Sequence, residues 1–355
     1  MTMDTLCGRM AVDPRVMKIL NRAQEGLPPS QEDCVALLDL PVLAPEASLL
    51  RCVADIVARR RFGHEAIILG QIGVEIAPCP GRCKFCSFGE EHTDFEPSIM
   101  SDDDILACAD AFTASGDLYA LFLMTMHTFV FERLLAIVQR LRQRIPATTQ
   151  IVVNIGDFDR VQGQELKAAG ANGAYHVCRL REGIDTSLDP QQRRRTIEAI
   201  RAAGLDWYYC CEPIGPEHLS QEIVDQLWLG IEYACFQHAA MRRVYLPSSP
   251  LASHGQITEL RLAQVVAVVA LASLACPETK NIAVHEPNLL GLTAGANVVY
   301  AESGANPRDT EEDTSGHRGR DVRDCKRMLY EAGFEHLLIG PDHRRPLAEA
   351  FKEYV

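Results

Sequence analysis

Three cysteines, Cys79, Cys83 and Cys86, lie in one short segment, CPGRCKFCSF. Thiolates are preferred ligands of zinc and of iron–sulfur clusters, and the Pro and Gly residues of this segment let it fold back and direct three sulfurs at one centre. A zinc site normally takes four ligands, and the only nearby candidate for a fourth, His92, has a spacing unlike that of a zinc finger. Three cysteines on a [4Fe–4S] cluster leave one iron open to another ligand. The segment therefore predicts such a cluster, with zinc as the alternative.

The composition is that of a globular protein able to bury a large core. Of the 355 residues, 47% are hydrophobic and 23% charged, and the formal net charge is −13. This charge argues against nucleic acid or an anionic membrane as the main partner, because both require a basic face. The N-terminus lacks a secretory signal, and the longest apolar stretch, 262–276, is too short to span a bilayer. We therefore expect a cytoplasmic protein with reduced thiols, in which the 13 cysteines do not form a disulfide framework.

The elements that must position the cysteines alternate along most of the chain. Residues 1–63 are predicted to form a helical extension, residues 64–310 a (β/α)8 barrel, and residues 311–355 a helix and tail packed on the barrel. Eight strand-like runs alternate with amphipathic helical segments, several of which end in Gly. An open, doubly wound sheet is the alternative architecture. In a barrel the chemistry lies at the carboxyl ends of the strands, and the cysteines follow the first run directly. The predicted strands are 66–76, 118–125, 150–155, 173–178, 206–211, 242–247, 281–286 and 297–302.

The spacing C-x3-C-x2-C is the motif of the radical S-adenosylmethionine (SAM) superfamily, and the chain resembles that family. The resemblance implies that the three cysteines hold a [4Fe–4S] cluster whose fourth iron is chelated by SAM, with Phe85 near the adenine. The length, the helical extension and the segment LLGLTAGANVVYAESGANPRDT resemble the biotin synthase-like group, which includes HydE, PylB and HmdB.

The same resemblance implies further SAM contacts. Arg193 is expected to pair with the SAM carboxylate, since a guanidinium meets a carboxylate with two hydrogen bonds; a solvent-exposed helix arginine is the alternative. Thr125 is a candidate for the methionyl amino group and Arg179 for the ribose, if the strand register turns it inward. Glu212, in the segment CCEPIGPEH, follows the strand whose end contacts the adenine.

Other polar residues fall at or near predicted strand ends. We expect Asn154 among the cofactor-binding residues, and Glu212 and His285 as candidate catalytic residues. Each has a plainer interpretation as a rim or packing residue. The remaining candidates for a polar substrate pocket are Tyr245, Ser248, Glu286 and Glu302.

The positions that hold the second, sulfur-donating cluster of biotin synthase do not carry cysteine in this chain; Asn154 and Tyr208 occupy two of them. Sulfur insertion is therefore not expected. Cys178, Cys210 and Cys211 lie on predicted strands and are adequately explained as small buried hydrophobic residues. An auxiliary cluster built from such scattered cysteines remains an alternative.

The resemblance thus predicts an enzyme that generates a 5′-deoxyadenosyl radical to rearrange or fragment a small polar metabolite, as an isomerase, lyase or transferase of a biosynthetic pathway. The alternatives are a metallocofactor-maturation step like those of HydE and HmdB, sulfur insertion with an auxiliary cluster, and a non-catalytic zinc-binding protein. The expected partners are a small-molecule substrate and an electron donor such as flavodoxin or ferredoxin, with no nucleic acid and no membrane.

Overall fold

Three helices precede the sheet in the computed structural model, which describes residues 12–285, 289–303 and 320–348. The first eleven residues of the predicted extension lie outside this part. The side chain of Asp13 accepts a hydrogen bond from the Arg15 amide at the start of the first helix, and Ser30 forms a capping box with Asp33 at the second. The helices are α1 (Pro14–Gln24), α2 (Gln31–Leu38) and α3 (Pro45–Phe62).

Eight parallel strands form a closed barrel. The last of them pairs with the first, in a register that places Ile67 beside Val298. The (β/α)8 prediction is therefore confirmed, and the open-sheet alternative is wrong. The eight barrel strands are β1 (Glu65–Gly73), β4 (Ala120–Met124), β5 (Gln150–Asn154), β6 (Gly173–Tyr175), β7 (Asp206–Ile214), β8 (Gln237–Arg242), β9 (Asn281–Val284) and β10 (Val298–Ser303). Between β1 and β4, the short strands β2 (Glu75–Ile76) and β3 (Ser98–Ile99) pair with each other outside the barrel.

Helices follow the barrel strands and cover the outside of the barrel. At the first of them, Ser101 accepts a hydrogen bond from the Asp104 amide. The apolar helix Glu259–Ala272 is buried over most of its length, since it packs on both the barrel and α3. The helices are α4 (Asp102–Thr113), α5 (Phe131–Arg144), α6 (Arg160–Ala169), α7 (Pro190–Ala202), α8 (Ser220–Glu232), α9 (Glu259–Ala272) and α10 (Leu289–Leu292).

Aromatic rings fill the middle of the barrel. The ring of Phe122 lies edge-on to the rings of Tyr208, Tyr300 and Tyr175, with centroids 5.2, 5.6 and 6.4 Å away. Edge-to-face pairs of this kind add to the free energy gained from burying their area. Two of these rings, Tyr175 and Tyr300, also line a cavity at the carboxyl ends of the strands.

The strand predicted at 242–247 is wrong. The structure places β8 five residues earlier, and residues 243–258 form a loop with one short 3₁₀ turn. The strand was missed because its first half does not have an apolar pattern: Gln237 and His238 are buried there, bonded to the Tyr300 hydroxyl and to Ser273. Small Ala239 and Ala240 complete the strand.

The C-terminal segment adds strands that the sequence did not indicate. After α11 (Val322–Glu331), β11 (His336–Gly340) pairs in parallel with the start of β1, and β12 (His343–Pro346) returns antiparallel to β11. Of the predicted tail region, residues 311–319 and 349–355 lie outside the described part. In the part of the chain that the structure describes, no helix has the length and apolar character needed to cross a membrane.

Candidate active site

A cavity of about 490 Å³ lies at the carboxyl ends of the barrel strands. Tyr245 and Ser248 do not contribute to it: both are exposed on the loop after β8. Glu286 lies outside the described residues. The other candidates from the sequence, Glu302 included, all line this cavity, because the carboxyl ends of parallel strands converge. The ten that carried a named role are Cys79, Cys83, Phe85, Cys86, Thr125, Asn154, Arg179, Arg193, Glu212 and His285.

The three cysteines face the cavity from the loop after β1. The Cβ that any other residue would carry at Gly81 would lie 3.5 Å from the sulfur of Cys79 and 3.6 Å from that of Cys83. Two thiols therefore converge on one point. Cys86 follows in a tight turn, in which its sulfur accepts a hydrogen bond from the amide of Phe88 at 3.4 Å.

Two neighbouring loops hold this cysteine loop in place. From the loop after β6, the amide of Ser187 donates to the carbonyl of Gly81 at 2.9 Å, and Lys84 Nζ lies 3.0 Å from Asp185 Oδ1. From the loop after β8, the hydroxyl of Ser249 donates to the carbonyl of Lys84. The position of the cysteine loop is thus fixed by contacts to two other loops of the barrel rim.

The donor set fits an iron–sulfur cluster. Burial raises the pKa of the Cys83 thiol to about 12, although the positive charge of Arg179 acts in the opposite direction; burial likewise raises the pKa of Cys86. Such thiols ionise only when a metal compensates the charge. The three thiols line one cavity, and thiolates are soft ligands suited to iron–sulfur clusters. Among the described residues, no three His, Cys, Asp or Glu side chains are arranged as the ligands of a single metal ion.

A carboxylate network surrounds Arg179, beside the cysteine loop. Its Nε lies 3.2 Å from Glu212 Oε1, and the hydroxyl of Tyr175 donates to Glu212 Oε2 at 2.8 Å. Glu182 Oε2 accepts from the Arg179 amide at 2.8 Å. Burial alone would lower the pKa of Arg179, but the nearby carboxylates of Glu212 and Glu182 raise it above its usual value. The guanidinium is therefore held inside the cavity as a permanent positive charge.

Arg193 occupies a second buried network. Only 4% of its surface is exposed, so the alternative of a solvent-exposed helix arginine is wrong. Its Nη1 donates to Asp157 Oδ1 at 3.0 Å, and its Nε and Nη2 donate to the carbonyl of Val177 at 3.0 and 2.9 Å. The hydroxyl of Thr196, one turn along α7, donates to the same Asp157 oxygen. The guanidinium is thus fixed in orientation while it lines the cavity.

Asp157 and His176 belong to this network and were missed by the sequence analysis. His176 Nε2 lies 3.3 Å from Asp157 Oδ1. Burial and then the charge of Arg193 lower the pKa of His176 to about 3, so its ring is neutral. Burial would raise the pKa of Asp157, but His176 and Arg193 hold it below its usual range. The available signals were a histidine inside the apolar run GAYHVC and an aspartate just after a strand end.

Two uncharged amides and one carboxylate form another part of the cavity lining. Asn154 Nδ2 donates to Gln71 Oε1 at 3.2 Å, and Gln71 Nε2 donates to Glu302 Oε1 at 3.3 Å. The ring of His285 stacks on that of Tyr300, with centroids 4.4 Å apart. Gln71 was also missed; its only signal was a polar residue inside the apolar run of β1. The cavity therefore has a wall rich in arginine and a separate wall of amides around Glu302.

Comparison with known proteins identifies similar structures but no similar sequence. No protein-family model matches the chain, and no curated protein matches it. Methylornithine synthase (PylB) has a TM-score of 0.75 and 17% identity, over 89% of this chain and 96% of that chain. The FeFe-hydrogenase maturase HydG from Carboxydothermus hydrogenoformans has a TM-score of 0.72 and 16% identity, over 90% of this chain and 78% of that chain. The chain therefore has the same barrel fold as methylornithine synthase and HydG.

Proposed function

We propose that this protein is a radical SAM enzyme. The observation that carries the proposal is the cysteine loop: Cys79, Cys83 and Cys86 have the superfamily's spacing, follow the first barrel strand and open into the barrel cavity. These residues would hold the [4Fe–4S] cluster. When bound, the cluster and SAM supply a 5′-deoxyadenosyl radical by reductive cleavage of the sulfonium carbon–sulfur bond. The barrel binds, orients and shields the reactants.

Arg193 binds the SAM carboxylate in this proposal. A guanidinium has five N–H groups in one plane. Three of the hydrogen bonds that Arg193 makes go to Asp157 and the carbonyl of Val177, which leaves further N–H groups for a ligand. Because these hydrogen bonds already fix the Arg193 side chain, it loses little conformational entropy when a carboxylate binds.

The neighbouring candidates receive distinct roles. Arg179 faces the ribose, and both carboxylate oxygens of Glu212 are used by Arg179 and Tyr175, so we assign Glu212 to positioning Arg179. Thr125 Oγ1 donates to the carbonyl of Met126 at 3.0 Å, which leaves its lone pairs to accept from the methionyl ammonium. Phe85 is placed against the adenine. The Asn154 side chain donates a hydrogen bond to Gln71, and we assign Asn154 to contacts with the substrate.

For the reaction, we propose rearrangement or fragmentation of a small polar metabolite, consistent with His285, Asn154 and Glu302 lining the same cavity as the cysteines. A shared fold does not choose a reaction. The likeness to methylornithine synthase, which covers nearly all of both chains, favours an amino acid or its derivative. A metallocofactor-maturation step is the second candidate, favoured by the likeness to the maturase HydG. No observation on the described residues favours the zinc alternative.

The test begins with anaerobic protein reconstituted with iron and sulfide. We expect about four irons per chain, a broad absorbance near ~400 nm and, with dithionite and SAM, release of 5′-deoxyadenosine. Cys83→Ala should lose the cluster and this activity. Cys52→Ala is the matched control, because Cys52 is exposed on α3, away from the cavity, and its removal should change neither.

Two results would overturn the proposal. One is wild-type protein that binds a single zinc and forms no cluster under these conditions. The other is full 5′-deoxyadenosine formation by Cys83→Ala.

A further inference from the structure

The amide wall of the cavity is built across three strands. Gln71 lies on β1, directly beside Glu302 of the adjoining β10, and Asn154 ends β5 on the other side. The hydrogen bonds from Asn154 to Gln71 and from Gln71 to Glu302 join these side chains into one chain, which we call the amide relay. All three side chains line the cavity, so the relay faces any ligand bound there.

The direction of the hydrogen bonds gives the relay a polarity. The carbonyl oxygen of Gln71 accepts from Asn154 and its amino group donates to Glu302, so both ends of the Gln71 amide are used. The two ends of the relay are the side-chain amide oxygen of Asn154 (Oδ1) and the carboxylate of Glu302. A carboxylate offers about four acceptor positions and can accept from several donors at once. The relay therefore presents acceptors, one of them negatively charged, and its complement is a positively charged donor.

The surroundings of Glu302 suit the same kind of group. Tyr300, on the same strand, stacks with His285, and both rings line the cavity. The face of an aromatic ring attracts a cation. An ammonium beside the Glu302 carboxylate would thus bind in the cavity that these rings also line.

Positive charges also line the cavity, and they must be placed relative to the relay. Arg242 ends β8, two strands from β10 in the barrel order, and its Nη1 donates to the carbonyl of Ile257 at 2.9 Å. Arg320 contributes its carbonyl oxygen as an acceptor for the Glu302 amide at 3.4 Å. An anionic ligand at the relay would be repelled by the Glu302 carboxylate, whereas a cationic ligand would be attracted to it.

We propose that Glu302, Gln71 and Asn154 form a subsite for the protonated primary amine of the substrate. This inference rests on the proposed function, since it names a substrate class for the same cavity. Gln71 is a positioning residue: it orients Asn154 and Glu302, which make the contact. The substrate would then be a primary amine bound with its carbon skeleton extending towards the cysteine loop and SAM.

Binding of butylamine and of butyrate to the reconstituted, SAM-bound enzyme tests the proposal. Ligand-observed NMR at neutral pH should detect wild-type binding of butylammonium and not of butyrate. Glu302→Gln has nearly the same shape and no charge, so it should weaken butylammonium binding by about tenfold or more, the effect of losing a hydrogen bond to a charged group. Glu331→Gln, on the exposed surface of α11, is the matched control and should bind butylammonium as the wild type does.

The outcomes separate this inference from the proposed function. A cluster and 5′-deoxyadenosine formation without butylammonium binding would overturn the amine subsite alone, as would equal binding by wild type and Glu302→Gln, or preferential binding of butyrate. Loss of the cluster from the wild type would overturn the proposed function. If Glu302→Gln does not fold, the wild-type comparison of butylamine with butyrate still decides.

Discussion

Buried charges occur at both ends of the barrel, but they are partnered differently. Where the strands begin, Asp117 is fully buried just before β4, with its carboxylate between Arg345 and Lys326 Nζ, which is 2.8 Å away. Where the strands end, Asp157 holds Arg193 and His176 beside the cavity. The first cluster ties the C-terminal segment to the barrel. The second fixes a guanidinium that still has N–H groups for a ligand. We expect the first arrangement to serve stability, and the second serves binding in the function proposed above.

The largest stability effect should follow from breaking the cluster at the start of the strands. Asp117→Asn leaves the buried charge of Lys326 without its anion, and removing one partner of a buried pair costs about 3–5 kcal/mol. Denaturant unfolding would measure this cost. The triple variant Asp117→Leu, Lys326→Met and Arg345→Met should recover much of the loss, since it removes all three charges of the cluster. A single variant as stable as the wild type would show that this cluster does not stabilise the fold.

Arg193→Lys tests the cluster beside the cavity. Lysine keeps the charge but loses the planar fork, so we expect SAM affinity to fall by roughly 10- to 100-fold, the effect of losing hydrogen bonds to a charged group. Calorimetry on the reconstituted protein would measure the change, with iron content unaltered. Arg195→Lys is the matched control, because Arg195 lies two positions along α7 and its side chain is exposed beside Asp189. Equal loss in both variants would remove Arg193 from the site.

Acidification should lower the stability of the fold through two buried histidines, one near each end of the barrel. Burial lowers the pKa of His238, at the start of β8, to about 3, and that of His176, near the cavity, is also about 3. Both values are depressed below about 6.5, so the neutral rings favour folding above that pH, and the benefit is lost as pH falls towards the folded-state values. Each histidine should cost about 2 kcal/mol of stability between pH 7 and pH 5.

The slope of stability against pH provides the measurement. His238→Gln removes one of the two titrating groups, so its free energy of unfolding should fall less steeply between these pH values than that of the wild type, even if it is lower at pH 7. Unchanged steepness would mean that His238 becomes protonated without unfolding the protein.

The smallest effect is expected two residues beyond Asp157. Asp159 caps α6, where its side chain accepts from the Gln162 amide at 2.9 Å on the exposed side of the loop. Asp159→Ala should cost about 1 kcal/mol of stability, as loss of a helix cap does, and leave SAM affinity unchanged. Thermal unfolding and calorimetry would check the two halves of this expectation. A matching fall in affinity would mean that the loop as a whole, and not Asp157 alone, positions Arg193.

The alternation of strands and helices was enough to predict the barrel, because it repeats along most of the chain. Thr125, Asn154, Glu212 and His285 were predicted because each lies at or near a strand end, and a barrel brings these ends together. The cysteines were predicted from their motif, and Arg193, on α7, from the family resemblance. Gln71 and His176 were missed because they are polar residues inside apolar runs. The role of each side chain depends on partners from distant parts of the chain. β8 was misplaced for a related reason: its buried Gln237 and His238 are satisfied only by tertiary contacts.

Strand β1 is paired on one side with β4 and on the other with β10, and its first residues also pair with β11. The strand that leads into the cysteine loop thus acquires its final neighbours only after β10 and β11 have been synthesised. Until then the nascent chain exposes an unpaired edge of β1. Assembly of a metal cluster during translation would meet an incomplete ring, so maturation of this protein should be a late, post-translational event.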